Sequence, residues 1–399
     1  MAGPLKVCVC GGDKDAQALA GLSALCNDIE TRVLALQEEE ASKWAPELNL
    51  IIHERNGNTR DVKSKPRMVT SDPKEAVSGS DMVIIVVPAH AHGVYLEAVV
   101  PHLGKNTLIV GLPGRPGFEF QCSNLLGVGV YTVMSFETFP WESKVIEFGK
   151  KIEISHSKQF VTGAMTRGRG ICRRPPLMSI QMMHGSEPLF RQARHFLEVT
   201  LSPYNFLNVA LCYGYWKDWD NKPVTDVPML YETVSKETAE LIETCSNELL
   251  TLAEAIKGAK PSVDLSNVKD IRQWFVENYR HEFEDKKEIQ DIIKSTKSFQ
   301  GIEHLMKDSD GGKIPDFESM LSEDIPMGLA AIKGIAIIME TEVPKLSHLL
   351  EWGQSKLGKQ YLVDGQLTGS DVDATRCPQK YGFNTLQEIL DGKKEENPA

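Results

Sequence analysis

Close to the start of the chain stands the stretch Leu5-Lys-Val-Cys-Val-Cys-Gly-Gly-Asp-Lys-Asp-Ala-Gln17. Its apolar run ends in Gly11-Gly12, and the small residues at 16–21 favour a helix. This order predicts a strand, a tight turn and a helix, which is how a dinucleotide-binding Rossmann unit begins. In such a unit the first glycine makes the turn, and the third small residue lets the helix pack on the strand. We assign these two roles to Gly11 and Ala16, with Gly12 inside the turn.

The middle position of this glycine pattern holds Asp13. A glycine there normally lets the backbone approach the pyrophosphate. A carboxylate about 4 Å from a phosphate charge costs roughly 4 kcal/mol per unit charge at an effective dielectric constant of 20, and Lys14 offsets part of that repulsion. Two alternatives therefore stay open for this stretch: a site for NAD(H), and a strand–helix unit that binds no nucleotide.

Continuous apolar runs predict further strands at residues 31–36, 81–87 and 107–110. Strands without polar alternation are typical of a parallel sheet covered on both faces, so we expect an α/β Rossmann domain with a doubly wound parallel sheet. Ligands of such sheets bind beyond the carboxyl ends of the strands. The loops at 88–92 and 111–117 should therefore line a site.

Three residues of these loops are candidates for a role. We assign Pro88 to cofactor binding, and His90 is a candidate proton donor. Arg115 has the donors to clamp a carboxylate in a bidentate manner, although an exposed turn arginine without a role stays open.

A run of acidic residues, Glu38, Glu39 and Glu40, follows the second predicted strand. If a dinucleotide binds, this charge disfavours a 2′-phosphate and favours NAD over NADP. A solvated helix start is the alternative interpretation.

Length and composition indicate two domains in a soluble protein. A chain of 399 residues exceeds what one core normally serves. The formal net charge of −11 argues against a nucleic-acid surface, and the arginines at 167, 169, 173 and 174 suit an exposed loop. No targeting segment or run of 18 apolar residues is present, so we expect a cytoplasmic location and no membrane partner. The eight scattered cysteines predict reduced thiols, and no metal-ligand spacing occurs.

The pattern changes near residue 200. Apolar residues at steps of three and four predict a helix over 239–256, and similar patterns predict helices over 268–279, 287–295, 328–339 and 343–356. We therefore place a dinucleotide-binding domain at 1–200 and an all-helical substrate domain at 201–399. The tail at 392–399 is predicted to be disordered.

Several longer segments give the chain a specific resemblance. They are Met134-Ser-Phe-Glu-Thr-Phe-Pro-Trp141, His184-Gly-Ser-Glu-Pro-Leu-Phe190, Glu323-Asp-Ile-Pro-Met-Gly328, Tyr361-Leu-Val-Asp-Gly365 and Arg376-Cys-Pro-Gln-Lys-Tyr-Gly-Phe-Asn384. Over essentially its whole length the chain resembles the invertebrate opine dehydrogenases, the octopine and tauropine dehydrogenase group. The resemblance implies a Rossmann domain, a helical domain and a monomer. It also implies NADH-dependent reductive condensation of pyruvate with an amino acid, which regenerates NAD under anoxia.

Family members use a His–Asp pair for acid–base chemistry, with the histidine in a Phe-x-His-Pro pattern. This chain has Phe206-Leu-Asn208-Val209, so Asn208 occupies the histidine position. An amide orients a carbonyl but relays no proton. Asp324 matches the partner carboxylate, although a helix-cap aspartate before Pro326 is an equal alternative.

The resemblance also bears on the substrates. Thr138 matches the position expected to touch the keto acid. Octopine-forming members carry an arginine where this chain has Ser319, and a cysteine where it has Ser143. These differences favour taurine, alanine or glycine over arginine as the amine. His184 and His92 are further candidates to replace the missing histidine, but His184 is more typical of a core histidine.

Two functions from different classes follow. The first is an active opine dehydrogenase for a small amine. The second is a catalytically silent relative that keeps the fold and serves as a binding, storage or structural protein. Changes at three chemical positions support the second function, and the otherwise matching sequence supports the first.

Overall fold

The computed structural model describes residues 3–155, 157–279, 281–283 and 288–394. The chain divides into two compact units, Met1–Val199 and Thr200–Ala399. Within the described residues, no helix is both long enough and apolar enough to cross a membrane. Residues 395–399 of the tail predicted to be disordered lie outside the described residues.

The first unit alternates strands and helices. Its strands are β1 (Leu5–Cys10), β2 (Ile29–Leu34), β3 (Leu48–His53), β4 (Thr59–Ser64), β5 (Met68–Thr70), β6 (Met82–Ile85), β7 (Leu108–Gly111), β8 (Thr132–Phe136), β9 (Glu142–Glu147), β10 (Lys151–Ser155), β11 (Phe160–Thr166) and β12 (Leu189–Gln192). Its helices are α1 (Lys14–Ala24), α2 (Glu38–Ser42), α3 (Pro73–Val77), α4 (His92–Val99), α5 (Phe118–Leu126), α6 (Pro176–His184) and α7 (Phe196–Thr200), which ends at the unit boundary.

The main sheet of this unit has the spatial order β12-β11-β8-β7-β6-β1-β2-β5. Six adjacent strands of this sheet, β5, β2, β1, β6, β7 and β8, are parallel to one another. Strand β11 runs antiparallel to β8. The chain reverses its direction of travel across the sheet between β1 and β6. The predicted doubly wound parallel sheet is therefore confirmed, and β1 and β6 border its topological switch point.

The predicted strands lie in this sheet with small shifts at their ends. Residues 31–36 correspond to β2, 81–87 to β6 and 107–110 to β7. Strand β6 is shorter than its apolar run, although Val86 N–H still donates to the Cys10 carbonyl at 2.8 Å. The unalternated run reflects burial on both faces, because every residue of β6 and β7 is buried.

A second sheet, with the order β4-β3-β10-β9, was not predicted from the sequence. In β3, Leu48, Leu50 and Ile52 are buried while the intervening residues are half-buried. Gly21 of α1 lets this sheet approach the helix, since a Cβ there would lie 2.5 Å from a Leu50 methyl group. The small residues of α1 therefore serve packing as well as the turn.

The second unit is built mainly from helices. They are α8 (Tyr204–Trp216), α9 (Lys236–Ala259), α10 (Ile271–Tyr279), α11 (Ile289–Ser295), α12 (Phe317–Leu321), α13 (Ala330–Ile338), α14 (Pro344–Leu357) and α15 (Leu386–Asp391). A π-helical segment, Asp324–Leu329, leads directly into α13. The unit also contains a hairpin of β13 (Met306–Ser309) and β14 (Gly312–Pro315), so it is not exclusively helical as predicted.

A buried carboxylate joins two of these helices. Glu248 of α9 accepts from the amides of Lys345 and Leu346 at 2.8 and 2.9 Å, at the start of α14. Both amides belong to a first helical turn, where they have no partner within the helix. The negative charge of Glu248 also complements the positive end of the α14 dipole.

We expect Glu248→Gln to lower the free energy of unfolding by about 1–2 kcal/mol, because glutamine has one acceptor oxygen where the carboxylate has two, so one of the two amides at the start of α14 loses its partner. Urea unfolding followed by circular dichroism measures the change. Glu254→Gln, on the exposed side of α9, is the matched control. Equal midpoints for the two variants would contradict this role for Glu248.

Candidate active site

The turn after β1 is shaped by two glycines. Gly11 has φ +140°, and a Cβ there would lie 2.4 Å from the Val86 carbonyl oxygen and 3.0 Å from the Ala16 Cβ. A larger residue would therefore separate β1 from the chain that leaves β6. The sequence roles given to Gly11 and Ala16 have this packing as their physical basis.

Asp13 is the N-cap of α1, with its carboxylate accepting from the Ala16 amide at 3.4 Å. Burial raises the pKa of Asp13 to about 6, and the nearby charge of Asp15 acts in the same direction. The Ala16 amide lowers this pKa, while Glu40 adds a smaller upward contribution. The carboxyl at the phosphate end of the motif therefore becomes neutral under mildly acidic conditions.

Glu40 is the member of the acidic run that reaches the glycine turn. Its carboxylate occupies the space beside Gly12, where a Cβ would lie 2.4 Å from Glu40 Oε2. Glu38 and Glu39 are exposed, and Glu39 pairs with Lys43 at 2.8 Å. Burial raises the pKa of Glu40. The sequence alone did not separate Glu40 from its two neighbours, although an acidic residue after β2 is the expected signal for a ribose partner.

The loop after β6 holds Pro88, His90 and His92 in different environments. Pro88 and His90 are exposed, and His90 lies in a short 3₁₀ turn before α4. His92 is buried, with its Nε2 2.9 Å from the Val87 carbonyl oxygen, and it packs edge-on against Phe118. His92 therefore has a structural role in this loop, and the assignment of His90 stays a prediction.

Arg115 and Thr138 lie at the carboxyl ends of neighbouring strands. Arg115 follows β7 with φ +64°, and its side chain is half-buried with a buried Nε, so its role in carboxylate binding stays a prediction. The amide of Gly114 donates to the Phe136 carbonyl at 2.9 Å, which ties this loop to the end of β8. Thr138 is buried two residues beyond β8. The fold thus brings both substrate candidates to one edge of the sheet.

Ser143, at the family's cysteine position, lies in β9 and not in a loop of this edge. Its hydroxyl donates to Asp15 Oδ1 at 2.5 Å. Asp15 belongs to the first turn of α1, next to Asp13. Ser143 therefore connects the second sheet to the helix that begins at the glycine turn.

In the second unit, α8 packs against the π-helical segment that carries Asp324. Asn208 and Cys212 lie one turn apart on α8, and Cys212 Sγ is 3.7 Å from Met320 Sδ. Burial raises the pKa of Cys212, and the charge of Asp324 raises it further. The Asp324 carboxylate therefore lies close to the face of α8 that carries Asn208 and Cys212.

Asp324 is buried and is the first residue inside the π-helical segment, whereas Glu323 occupies the N-cap position. Asp324 is therefore not the N-cap residue of this segment, and its role as the partner carboxylate stays a prediction. Segments of π-helix are rare and occur often at functional sites.

Ser319 is exposed and bound to its own helix end. Its hydroxyl donates to Asp316 Oδ2 at 2.7 Å, and its amide donates to Asp316 Oδ1 at 3.3 Å. Ser319 therefore stabilises the start of α12, and its side chain has no positive charge.

His184 is half-buried and is held in place by its neighbours. Its Nδ1 donates to the Ile180 carbonyl at 2.9 Å, and its ring stacks on Trp141. Burial lowers the pKa of His184 to about 4, so the ring is neutral at physiological pH. Among the described residues, no three His, Cys, Asp or Glu side chains are grouped as a metal site.

Comparison with known proteins places these features in a family. Residues 192–357 match the family model described as NAD/NADP octopine/nopaline dehydrogenase, alpha-helical domain. Octopine dehydrogenase of Pecten maximus is 46% identical over 98% of this chain and 100% of its own length. Tauropine dehydrogenase of Arabella iricolor is 36% identical over 96% of this chain and 99% of its own. A solved octopine dehydrogenase structure with NADH and pyruvate superposes with a TM-score of 0.92, at 44% identity, covering 99% of this chain and all of that one.

We expect Asp13→Asn to raise the free energy of unfolding by about 1–2 kcal/mol above pH 6. The folded chain holds this proton up to about pH 6, whereas the ordinary pKa is 3.8, so ionisation destabilises the fold as pH rises between these values. Asparagine keeps the N-cap. Urea unfolding at pH 4, 6 and 7.5 measures the gain, which should vanish near pH 4.

Asp28→Asn, on the exposed turn before β2, serves as the control for this measurement. A gain for Asp13→Asn that is the same at all three pH values would show that the charge of Asp13 is not its cause.

Proposed function

The chain belongs to the opine dehydrogenase family, and on this premise we propose that it catalyses NADH-dependent reductive condensation of pyruvate with a small amine. The observation that carries the proposal is the carboxyl edge of the Rossmann sheet. The glycine turn with Glu40 beside it follows β1, Arg115 follows β7 and Thr138 follows β8, and this common edge supports the proposal. The cytoplasmic location and monomeric state implied earlier stay predictions.

The residues at the glycine turn fit a dinucleotide. The positive end of α1 suits a pyrophosphate, and the absence of a Cβ on Gly11 lets the turn pack closely against the Val86 carbonyl and Ala16 at this end of the helix. Glu40 has two carboxylate oxygens beside Gly12 that suit a ribose diol and repel a 2′-phosphate. We therefore propose NAD(H) as the cofactor, in preference to NADP(H).

Asp13 makes this cofactor site sensitive to pH. Its ionised carboxylate repels a pyrophosphate, whereas the neutral form with a pKa of about 6 does not. Asp13 also stabilises the start of α1, because its carboxylate accepts a hydrogen bond from the Ala16 amide as the N-cap.

The remaining residues provide substrate binding and proton transfer. When bound, NADH supplies a hydride to the imine carbon formed from the keto acid and the amine. The Arg115 guanidinium suits the pyruvate carboxylate, and the Thr138 hydroxyl suits its carbonyl oxygen. Asp324 is the proposed proton-transfer group, and Asn208 orients a carbonyl or water through its amide.

The amine is proposed to be small. Ser319 offers no guanidinium for an amino-acid carboxylate, and it is already hydrogen-bonded to Asp316. Taurine, alanine or glycine is therefore favoured over arginine.

A second candidate function rests on Asn208. An amide at the family's histidine position relays no proton, which favours a catalytically silent relative serving as a binding, storage or structural protein. The two candidates differ in turnover, so one assay separates them.

We expect the purified chain to oxidise NADH when pyruvate is supplied with taurine, alanine or glycine, and at least about tenfold more slowly with arginine. Absorbance at the NADH band follows turnover, and a parallel NADH titration measures binding. NADPH in place of NADH is the coenzyme control. Glu40→Gln should reduce the ratio of the NADH oxidation rate to the NADPH oxidation rate. Absence of both turnover and NADH binding would overturn the proposal in favour of the silent relative.

We expect Asn208→His to raise kcat by about 10²-fold, because it restores a group that relays protons near neutral pH. The gain should show a pH dependence centred near the histidine pKa. Asp324→Asn should lower kcat by about the same factor, while Asp308→Asn in the exposed hairpin should have no effect. An unchanged kcat in both Asn208→His and Asp324→Asn would show that neither position takes part in proton transfer.

A further inference from the structure

We propose that the loop at residues 167–176 forms a second binding site, for a small molecule that bears a multivalent phosphate group. The loop has the sequence Arg-Gly-Arg-Gly-Ile-Cys-Arg-Arg-Pro-Pro. It lines a cleft of about 530 Å³, together with Thr132 and Met165. That size lies within the range of pockets that hold small ligands and cofactors.

The cleft lies at the opposite edge of the sheet from the glycine turn. The loop leaves β11 at Thr166, which pairs with Val133 at the start of β8. It also contacts Asn106 before β7 and Asp81 before β6. These are the amino ends of the parallel strands, whereas dinucleotides bind at the carboxyl ends. The proposed site is therefore separate from the one that binds the cofactor, and it does not rest on the proposed function.

The loop is fixed to the sheet by its backbone. The amides of Gly168 and Ile171 donate to the side chains of Thr132 and Asn106, both at 3.1 Å. A Cβ on Gly168 would lie 2.2 Å from the Tyr131 carbonyl carbon, and one on Gly170 would lie 2.1 Å from the Lys105 carbonyl oxygen. Both glycines are needed for this close approach, so the loop presents its arginines from a defined backbone.

The lining is strongly cationic. It contains Arg167, Arg169, Arg173 and Arg174 and no carboxylate. In the part of the chain that the structure describes, Arg173 is the one of the four paired with a carboxylate, at 2.9 Å from Asp81. Such a cluster is unusual in a chain with a formal net charge of −11, and it concentrates positive potential at one place.

The four arginines differ in the contacts that their side chains make. Arg173 also donates to the carbonyls of Gly3 and Pro4, so it holds the loop to the sheet. Arg174 contacts Met182 Sδ, and Arg169 donates weakly to the Gly129 carbonyl. Within the described residues, the side chain of exposed Arg167 forms no ion pair or hydrogen bond. Arg167 and Arg174 are therefore the guanidinium groups best placed to hold a ligand.

The chemistry favours phosphate over other anions. Guanidinium groups bind phosphate oxygens in a bidentate manner, and several of them together match an anion with more than one charge. Helix α6 begins at Pro176, so its positive end adds to the field of the arginines. Ile171, 81% exposed, offers an apolar surface beside these charges. A phosphorylated metabolite with an apolar portion fits all three features.

Isothermal titration of the full chain with inorganic pyrophosphate tests the proposal. We expect binding that weakens as salt is raised, and a loss of at least about tenfold in affinity in Arg167→Ala/Arg174→Ala, because each substitution removes charge-assisted hydrogen bonds. The matched control is Arg67→Ala, an exposed arginine of the same unit outside the loop. Arg167→Gln alone gives a milder variant, and circular dichroism checks that every variant is folded.

The outcomes separate clearly. Loss of binding in the loop variants with retention in Arg67→Ala supports the site. Undiminished affinity in Arg167→Ala/Arg174→Ala would show that pyrophosphate binds elsewhere, including at the glycine turn, and would overturn it. Sedimentation with phosphatidylcholine vesicles containing phosphatidylinositol bisphosphate tests a lipid source of the same chemistry. Vesicle binding without pyrophosphate binding would also overturn a site for a soluble ligand.

Discussion

The close approach of the first turn to the strand beside it is the constraint on which the nucleotide end of the Rossmann sheet depends. Gly11 brings β1 within reach of the Val86 carbonyl, and Ala16 lets α1 pack over the same point. This packing borders the topological switch point between β1 and β6. The position of α1 against the sheet therefore follows from the absence of a side chain at Gly11 and the small side chain at Ala16.

Within that constraint the chain has exchanged one kind of stabilisation for another. A glycine in the middle of the motif serves the ligand, whereas Asp13 serves the helix by capping its first turn. Burial and neighbouring carboxylates raise the pKa of Asp13, so the cap is held at an electrostatic cost. The carboxylate of Glu40, beside Gly12, adds to the negative charge at this turn. At the far edge of the same sheet the electrostatics are reversed, since the arginine loop gathers positive charge.

The helical unit places a buried carboxylate, Asp324, beside helix α8. Asp324 is buried inside a π-helical segment, and its charge affects Cys212 on α8, one turn from Asn208. Asn208, at the position where the resemblance leads us to expect a histidine, therefore lies on the helix that packs against the segment of Asp324.

Much of the fold could be predicted because its signals are local. Apolar runs and turn glycines identified the parallel strands, and steps of three and four identified α9 and α14. The second sheet was missed because β3 and β4 alternate weakly, and because β3 also pairs with β10 much later in the chain, as in the pairing of Lys151 with Asn49. The hairpin of the helical unit was missed for a similar reason, since its strands are short and mostly exposed.

The Rossmann unit, the helical unit and the family could be predicted from the sequence, because these depend on residue type and spacing. Which acidic residue reaches the glycine turn, and the position of Asp324 inside a π-helix, became known only from the folded chain. The same holds for the position of the arginine loop at the sheet edge opposite the nucleotide turn. These outcomes depend on which segments meet after folding, and the distance between residues far apart in sequence is not encoded in any local pattern.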